Sequence, residues 1–217
     1  MLTFTPGASG SGALSILCLG AHSDDIEIGC GGALLRLLAE RPNCSVHWVV
    51  FSAAGERERE ARASADAFLA AAGDRSVLIE NVRESYFPYV AAEIKDLFEK
   101  LKKTVDPDVV FTHHRHDVHQ DHRVVAELTW NTFRNHVVLE YEIPKYEGDL
   151  GTPNVFVPLD EMTVGRKIQL LLQHFATQRA RRWFRADTFH GLMRLRGVEC
   201  NALDGFAEAF HVRKLVL

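Results

Sequence analysis

The sequence has few cysteines and no long apolar segment. Its four cysteines, among 217 residues, show neither the paired spacing of a metal site nor the pattern of a disulfide scaffold. We therefore predict free thiols and a reducing, cytoplasmic compartment. Since no apolar run is long enough to cross a bilayer, we predict no integral membrane segment.

An excess of positive charge is also absent. The 25 lysines and arginines against 29 aspartates and glutamates give a net charge of -4, which provides no general attraction to nucleic acid. The opening residues lack the cationic start and apolar core of a signal peptide, and their glycines and serines predict a flexible arm over 1–12. The remaining length, 13–217, fits a single domain with a sizeable core.

Apolar and amphipathic segments alternate along the chain. Buried strands are predicted over 14–21, 46–52, 76–79, 108–112, 139–143 and 154–157, with a closing strand over 210–217. Helices are predicted over 33–40, 56–72, 90–104, 121–135 and 160–175, the last with Asp160 as N-cap. This alternation predicts an α/β fold, a single Rossmann-like three-layer domain with a mainly parallel sheet.

Metal-binding side chains follow two of these strands directly. His22, Asp24 and Asp25 come after the first strand, and a histidine-rich run over 112–122 follows the fourth. The carboxyl ends of strands form the ligand crevice in open α/β sheets, so we expect both groups to lie there. Neighbouring aspartates repel unless a cation or hydrogen bonds offset the repulsion. The alternative is that both aspartates only cap the following helix.

The second group has more histidines than one metal ion needs. His122, at the start of a helix, can turn towards the crevice, and His119 lies on the same face. Asp121 can orient one of these imidazoles through a hydrogen bond. We expect His113, His114 and His116 at the surface or behind the ligands.

These two segments resemble a known family. Residues 21–32 (AHSDDIEIGCGG) and 117–122 (DVHQDH) resemble the motifs A-H-P-D-D-E-x-x-G-x-G-G and H-x-D-H of the LmbE-like, or PIG-L, zinc-dependent de-N-acetylases. That family acts on N-acetylglucosaminyl compounds and related N-acyl amines. Here Ser23 replaces the usual proline, and Glu27 follows Ile26 where the family has glutamate directly after the aspartates. We therefore assign Glu27 no role.

The resemblance implies a metal site and a catalytic base. It implies that His22, Asp25 and His122 bind Zn²⁺, with another divalent ion such as Fe²⁺ as an alternative. Two histidines and a carboxylate form a recognised catalytic zinc set. Asp24 would take a proton from the zinc-bound water, which then attacks the amide carbonyl.

The resemblance also implies roles around the substrate, a small N-acetylated sugar or glycoconjugate. His119, oriented by Asp121, would stabilise the oxyanion, and Asp24 or His119 would protonate the departing amine. Arg57 falls where the family tends to place a sugar-binding arginine, although a solvated helix arginine is the alternative. The expected activity is removal of an N-acetyl or N-acyl group from an amino sugar.

Two other functions fit parts of the pattern. The same ligand set occurs in non-haem iron oxygenases, which have no evident use for Asp24. A non-catalytic metal- or carbohydrate-binding protein would need neither Asp24 nor His119. The C-terminal part, about 141–217, is expected to shape the pocket, with Tyr146, Trp183 and Phe184 as substrate contacts or as packing residues. Members of the family often form symmetric assemblies, so a homo-oligomer is a candidate state.

Overall fold

A computed structural model describes residues 13–215, so the predicted arm over 1–12 lies outside the described residues. Seven strands and six α-helices lie within this range. The strands are β1 Ser15–His22, β2 Ser45–Ser52, β3 Asp74–Ile79, β4 Val109–His113, β5 Val137–Tyr141, β6 Val155–Leu159 and β7 Phe206–His211. The helices are α1 Asp25–Glu40, α2 Glu56–Phe68, α3 Ala91–Thr104, α4 Gln120–Thr132, α5 Glu161–His174 and α6 Ala186–Glu199.

All seven strands form one sheet, in the order β3-β2-β1-β4-β5-β7-β6. The five strands from β3 to β5 are parallel, whereas β7 is antiparallel to both of its neighbours. This arrangement confirms the predicted single α/β domain with a mainly parallel sheet. It also places the carboxyl ends of the neighbouring strands β1 and β4 at one edge.

Two separate apolar cores lie on opposite faces of the sheet. Along β1, Ile16 and Cys18 belong to the core that includes residues of α1 and α5, whereas Leu17 and Leu19 belong to the core that includes residues of α3 and α4. The strand alternates in this way because successive side chains point to opposite faces. Both faces are covered, which explains why β1 is an almost continuous apolar run.

Helix α1 begins at Asp25, eight residues before the predicted start at residue 33. The prediction placed a polar loop over 22–27 and began the helix only after the glycines, since glycine is a poor helix former. They occupy places where a side chain would collide with the neighbouring elements. A Cβ atom on Gly29 would lie 2.2 Å from Cδ2 of Tyr141, and one on Gly31 would lie 2.7 Å from Cε1 of Phe68. The glycines therefore let α1 pack closely against the domain.

The C-terminal part differs from the prediction in two further ways. Helix α6 was not predicted, because its apolar residues are spread over several faces. Strand β7 begins at Phe206 and not at residue 210. Glu208 interrupts its apolar pattern, but this buried carboxylate pairs with Lys167 at 2.5 Å. Among residues 13–215, no helix is both long and apolar enough to cross a membrane.

Candidate active site

The two histidine-containing segments meet at one edge of the sheet. His22 is the last residue of β1, and His113 is the last residue of the adjacent parallel strand β4. The loop after β4 leads into α4, whose first turn carries Asp121 and His122. Parallel strands end at a common edge, so residues about 100 positions apart in sequence face each other here.

The three expected ligands surround one point. Nδ1 of His22 lies 3.2 Å from Nε2 of His122. Oδ2 of Asp25 lies 3.4 Å from Nδ1 of His22, and Oδ1 of Asp25 lies 3.5 Å from Nε2 of His122. Ligand atoms at bonds of about 2.0–2.1 Å around a tetrahedral zinc ion are roughly 3.3–3.4 Å apart. The spacing and the donor types of this set therefore fit a zinc ion.

In each of these two histidines, the outer ring nitrogen, which faces away from the ligand set, lies within hydrogen-bond distance of a carboxylate. Oδ2 of Asp121 lies 3.1 Å from Nε2 of His22, and Oδ2 of Asp117 lies 2.9 Å from Nδ1 of His122. An ionised carboxylate only accepts hydrogen bonds, so the outer nitrogens carry hydrogens, and the inner nitrogens, Nδ1 of His22 and Nε2 of His122, are the ones that could bind a metal ion. Such support is usual for histidines that bind metals.

The charges of the set favour a cation. Burial and the neighbouring His113 lower the pKa of His122 to about 3, so this ring is neutral. Burial also lowers the pKa of His22, but Asp25 and Asp121 outweigh it and raise the pKa to about 10, so Nδ1 of His22 holds a proton that a bound metal ion would replace. Burial opposes ionisation of Asp25, yet the three surrounding histidines hold its pKa well below the usual range. A negative carboxylate thus faces the point where the imidazoles converge.

Asp24 stands beside the ligand set and is buried. It occupies the N-cap position of α1, but its side chain makes no capping hydrogen bond within the described residues. Its Oδ1 instead accepts a hydrogen bond from Arg57 at 3.3 Å. Burial and the charge of Asp25 raise the pKa of Asp24 to about 6, against the opposing effect of Arg57. A carboxyl group with a pKa near neutrality is suited to exchange protons.

His119 lies over the same point, and its ring is half-buried. The ring centroid is 5.0 Å from that of His22 and 4.5 Å from that of His122. Nδ1 of His119 accepts a hydrogen bond from the backbone N–H of Asp121, so the proton of the neutral ring sits on Nε2. Burial and the charge of His22 lower the pKa of His119, which keeps the ring neutral with one N–H to donate.

The Asp121 carboxylate contacts a different imidazole from the one expected. Asp121 is within hydrogen-bond distance of His22, whereas the sequence analysis expected it to orient His119. The backbone N–H groups of Ser85 and Phe87 donate to its two oxygens at 2.6 and 3.2 Å and fix its direction. The support that Asp121 gives therefore goes to a ligand histidine.

Three further residues lie behind the ligands: His113, in one of the two places expected for it, and Lys145 and Asp117, which received no role from the sequence. His113 is fully buried, stacks on His122 at 3.9 Å, and has its Nε2 3.2 Å from Oδ2 of Asp25. The backbone N–H of Ala21 donates to that nitrogen, so its lone pair is engaged and His113 packs behind the ligand set without donating to Asp25. Lys145 donates to Asp117 at 3.0 Å. The position of Asp117, five residues before His122, was the only signal in the sequence.

The remaining predicted residues lie in the site, at the surface or in packing contacts. Arg57, whose side chain is 25% exposed, reaches the site through its contact with Asp24. His114 pairs with Glu140, and His116 is exposed. In the C-terminal part, Tyr146 is exposed, whereas the Trp183 ring packs against the Phe184 and Phe189 rings, 5.6 and 6.5 Å away. Trp183 and Phe184 are therefore packing residues.

The family of the chain follows from its sequence over the same region. A family model described as PIG-L, GlcNAc-PI de-N-acetylase, matches residues 17–133, just over half of the chain. The chain belongs to the PIG-L family. This match spans β1 to α4 and includes every candidate metal ligand, which confirms the resemblance seen in the two motifs. We find no curated protein that matches the sequence.

Several solved structures have a fold similar to that of this PIG-L domain. N,N'-diacetylchitobiose deacetylase from Pyrococcus horikoshii is 19% identical over 93% of this chain and 84% of its own, with a TM-score of 0.67. The zinc-inhibited form of teicoplanin deacetylase Orf2 is 13% identical over 91% and 97%, with a TM-score of 0.71. GalB, the 4-carboxy-2-hydroxymuconate hydratase from Pseudomonas putida KT2440, is 19% identical over 94% and 98%, with a TM-score of 0.70. At these identities the likeness concerns the fold, and that fold hosts more than one reaction.

Proposed function

We propose that this PIG-L protein is a metal-dependent hydrolase that removes an N-acetyl, or related N-acyl, group from an amino sugar such as an N-acetylglucosaminyl conjugate. The observation that carries the proposal is the convergence of His22, Asp25 and His122, whose nearest donor atoms are 3.2–3.5 Å apart, with the Asp24 carboxyl beside them. Membership of a family described by de-N-acetylation supports the reaction class.

His22, Asp25 and His122 would hold the ion, and Zn²⁺ suits their nitrogen and oxygen donors, with Fe²⁺ as an alternative. When bound, such an ion supplies a Lewis acid that lowers the pKa of a water molecule and polarises the amide carbonyl. Asp121 and Asp117 keep the two imidazoles in the tautomer and orientation that ligation needs.

Asp24 acts as the general base. Its carboxylate accepts a proton from the attacking water as the new carbon–oxygen bond forms. The N–H on Nε2 of His119 then donates to the oxyanion that develops on the carbonyl oxygen. When the carbon–nitrogen bond breaks, the proton held by Asp24 passes to the amine, either directly or by way of a His119 that has first been protonated, so that acetate and a free amino sugar leave.

Arg57 lies at the side of the site where a sugar would bind. Its guanidinium is partly exposed and retains donors that Ser23, Asp24 and Glu84 do not use. The C-terminal part contributes a second wall, because Asp149 accepts from the backbone N–H of Val118, next to His119. These contacts support a role in substrate binding.

Acetate release tests the proposal directly. We expect release from at least one member of a panel of N-acetyl sugars, nucleotide sugars and glycolipids, loss of release with a chelator, and recovery with Zn²⁺ or Fe²⁺. Asp24→Asn should keep its bound metal but lose at least about 100-fold in kcat, because general-base catalysis contributes roughly that much. Asp96→Asn, the same change at an exposed position of α3, is the control and should be fully active.

The outcomes also separate the two alternatives. Full activity of Asp24→Asn would remove Asp24 from the mechanism. Metal binding with no acetate release from any substrate in the panel would favour a non-catalytic binding protein. An activity that requires oxygen and vanishes under anaerobic conditions would favour an iron oxygenase, since hydrolysis needs no oxygen.

A further inference from the structure

Arg57 connects the ends of three neighbouring strands. It lies in the first turn of α2, directly after β2. Its Nε donates to Oγ of Ser23, after β1, at 3.0 Å, and its two terminal nitrogens donate to Asp24 at 3.3 Å and to Glu84, after β3, at 3.2 Å. One guanidinium therefore spans the edge of the sheet beside the candidate metal site.

The three partners differ in how firmly they can hold the guanidinium. The Glu84 side chain is 52% exposed, and exposed ion pairs contribute little. Asp24 is the group to be positioned, and it has no other hydrogen-bond partner for its side chain within residues 13–215. Ser23 is fully buried, and its hydroxyl is the one neutral acceptor fixed in the protein interior. The hydroxyl therefore sets the direction of the guanidinium plane.

Ser23 is also one of the two places at which this chain departs from the family motif. The usual proline has no hydroxyl and cannot accept a hydrogen bond from an arginine. Serine gives up the rigidity of proline in this loop but gains an acceptor for Nε of Arg57. The exchange is informative because the same side chain that breaks the motif makes a specific contact.

We propose that Ser23 is a positioning residue whose hydroxyl fixes the Arg57 guanidinium against the Asp24 carboxylate. The effect of Ser23 on the reaction thus passes through Arg57. The inference rests on the proposed function, since it assumes that Asp24 takes part in hydrolysis. Its structural component, the coupling of Ser23 to Arg57, does not depend on that assumption.

Two substitutions of Ser23 separate the hydroxyl from the loop conformation. Ser23→Ala removes the acceptor, and Ser23→Pro restores the residue usual in the family but also lacks the acceptor. We expect both to lower kcat by about tenfold, the factor for one hydrogen bond to a charged group, with KM changed far less and metal content unchanged. A residue that only shapes the loop would leave Ser23→Pro at the kcat of the wild type, and that result would overturn the proposal.

A double-mutant cycle shows whether Ser23 acts through Arg57. In an Arg57→Met background, Ser23→Ala should cause no further loss of kcat, and the same non-additivity should appear in the free energy of unfolding of the metal-free protein. Additive losses in the cycle would refute the coupling, as would a loss of bound metal in Ser23→Ala. The unfolding cycle needs no substrate, so it judges the coupling even if acetate release is never found and the proposed function fails.

Discussion

Replacing Asp117 by asparagine tests whether a carboxylate outside the ligand set controls metal binding. Its Oδ2 accepts hydrogen bonds from Nδ1 of His122 at 2.9 Å and from Lys145 at 3.0 Å. Asparagine has the same shape and can still accept from His122, but it carries no charge. The substitution therefore removes the charge that makes His122 a stronger metal ligand, and it also removes the hydrogen bond that Oδ1 of Asp117 accepts from the backbone N–H of His119.

The expected loss is 10- to 100-fold in metal affinity, roughly the range for substitutions of residues that support metal-binding histidines. This corresponds to about 1.4 to 2.7 kcal/mol. We expect a value within that range, because Asp117 is 3% exposed and water cannot replace its charge. Lys145 keeps its second carboxylate partner, Asp149, at 2.7 Å, so the loss should not include an unpaired buried ammonium.

Competition with a metal-binding dye at fixed pH measures this affinity. Asp149→Asn is the matched control, because it weakens the pairing of Lys145 but leaves the bond between Asp117 and His122 intact. It should change the affinity by much less than Asp117→Asn. Equal losses in the two variants, or no loss in Asp117→Asn, would show that the charge of Asp117 does not act on the metal through His122.

Two further predictions concern the fold. Gly29→Ala should lower the free energy of unfolding by about 1 to 3 kcal/mol in denaturant titrations, since the new Cβ would lie 2.2 Å from Cδ2 of the buried Tyr141. The control is Gly165→Ala on α5, where a Cβ would have no neighbour within 4 Å, and it should be neutral or slightly stabilising. Asp160→Ala should cost about 1 kcal/mol near neutral pH, because Asp160 caps α5 through the backbone N–H of Thr163. That hydrogen bond lowers the pKa of Asp160 in the folded protein. The difference in unfolding free energy between wild type and Asp160→Ala should therefore be complete above the ordinary carboxyl pKa and disappear as the pH falls through the lowered pKa of Asp160. A difference that does not change with pH would exclude the charged cap.

Local patterns in the sequence were sufficient for most of the fold. Continuous apolar runs predicted β1, β2 and β4, because strands covered on both faces need no polar alternation. Asp160 was predicted as an N-cap, and the structure confirms it. Patterns failed where the reason for a residue lies elsewhere in the chain, as for Gly29, which makes room for Tyr141, and Glu208, whose charge is neutralised by Lys167.

The candidate site, too, was predictable from the sequence only in part. The order of strands and loops along the chain was enough to predict that His22 and His122 lie at one edge of the sheet, because both follow parallel strands and such strands end together. The partner of each imidazole became known from the folded structure: Asp121 contacts His22, and Asp117 contacts His122. Those pairings depend on side-chain directions fixed by residues far away in the chain, and hydrogen bonds across such distances leave no periodic signal in the sequence.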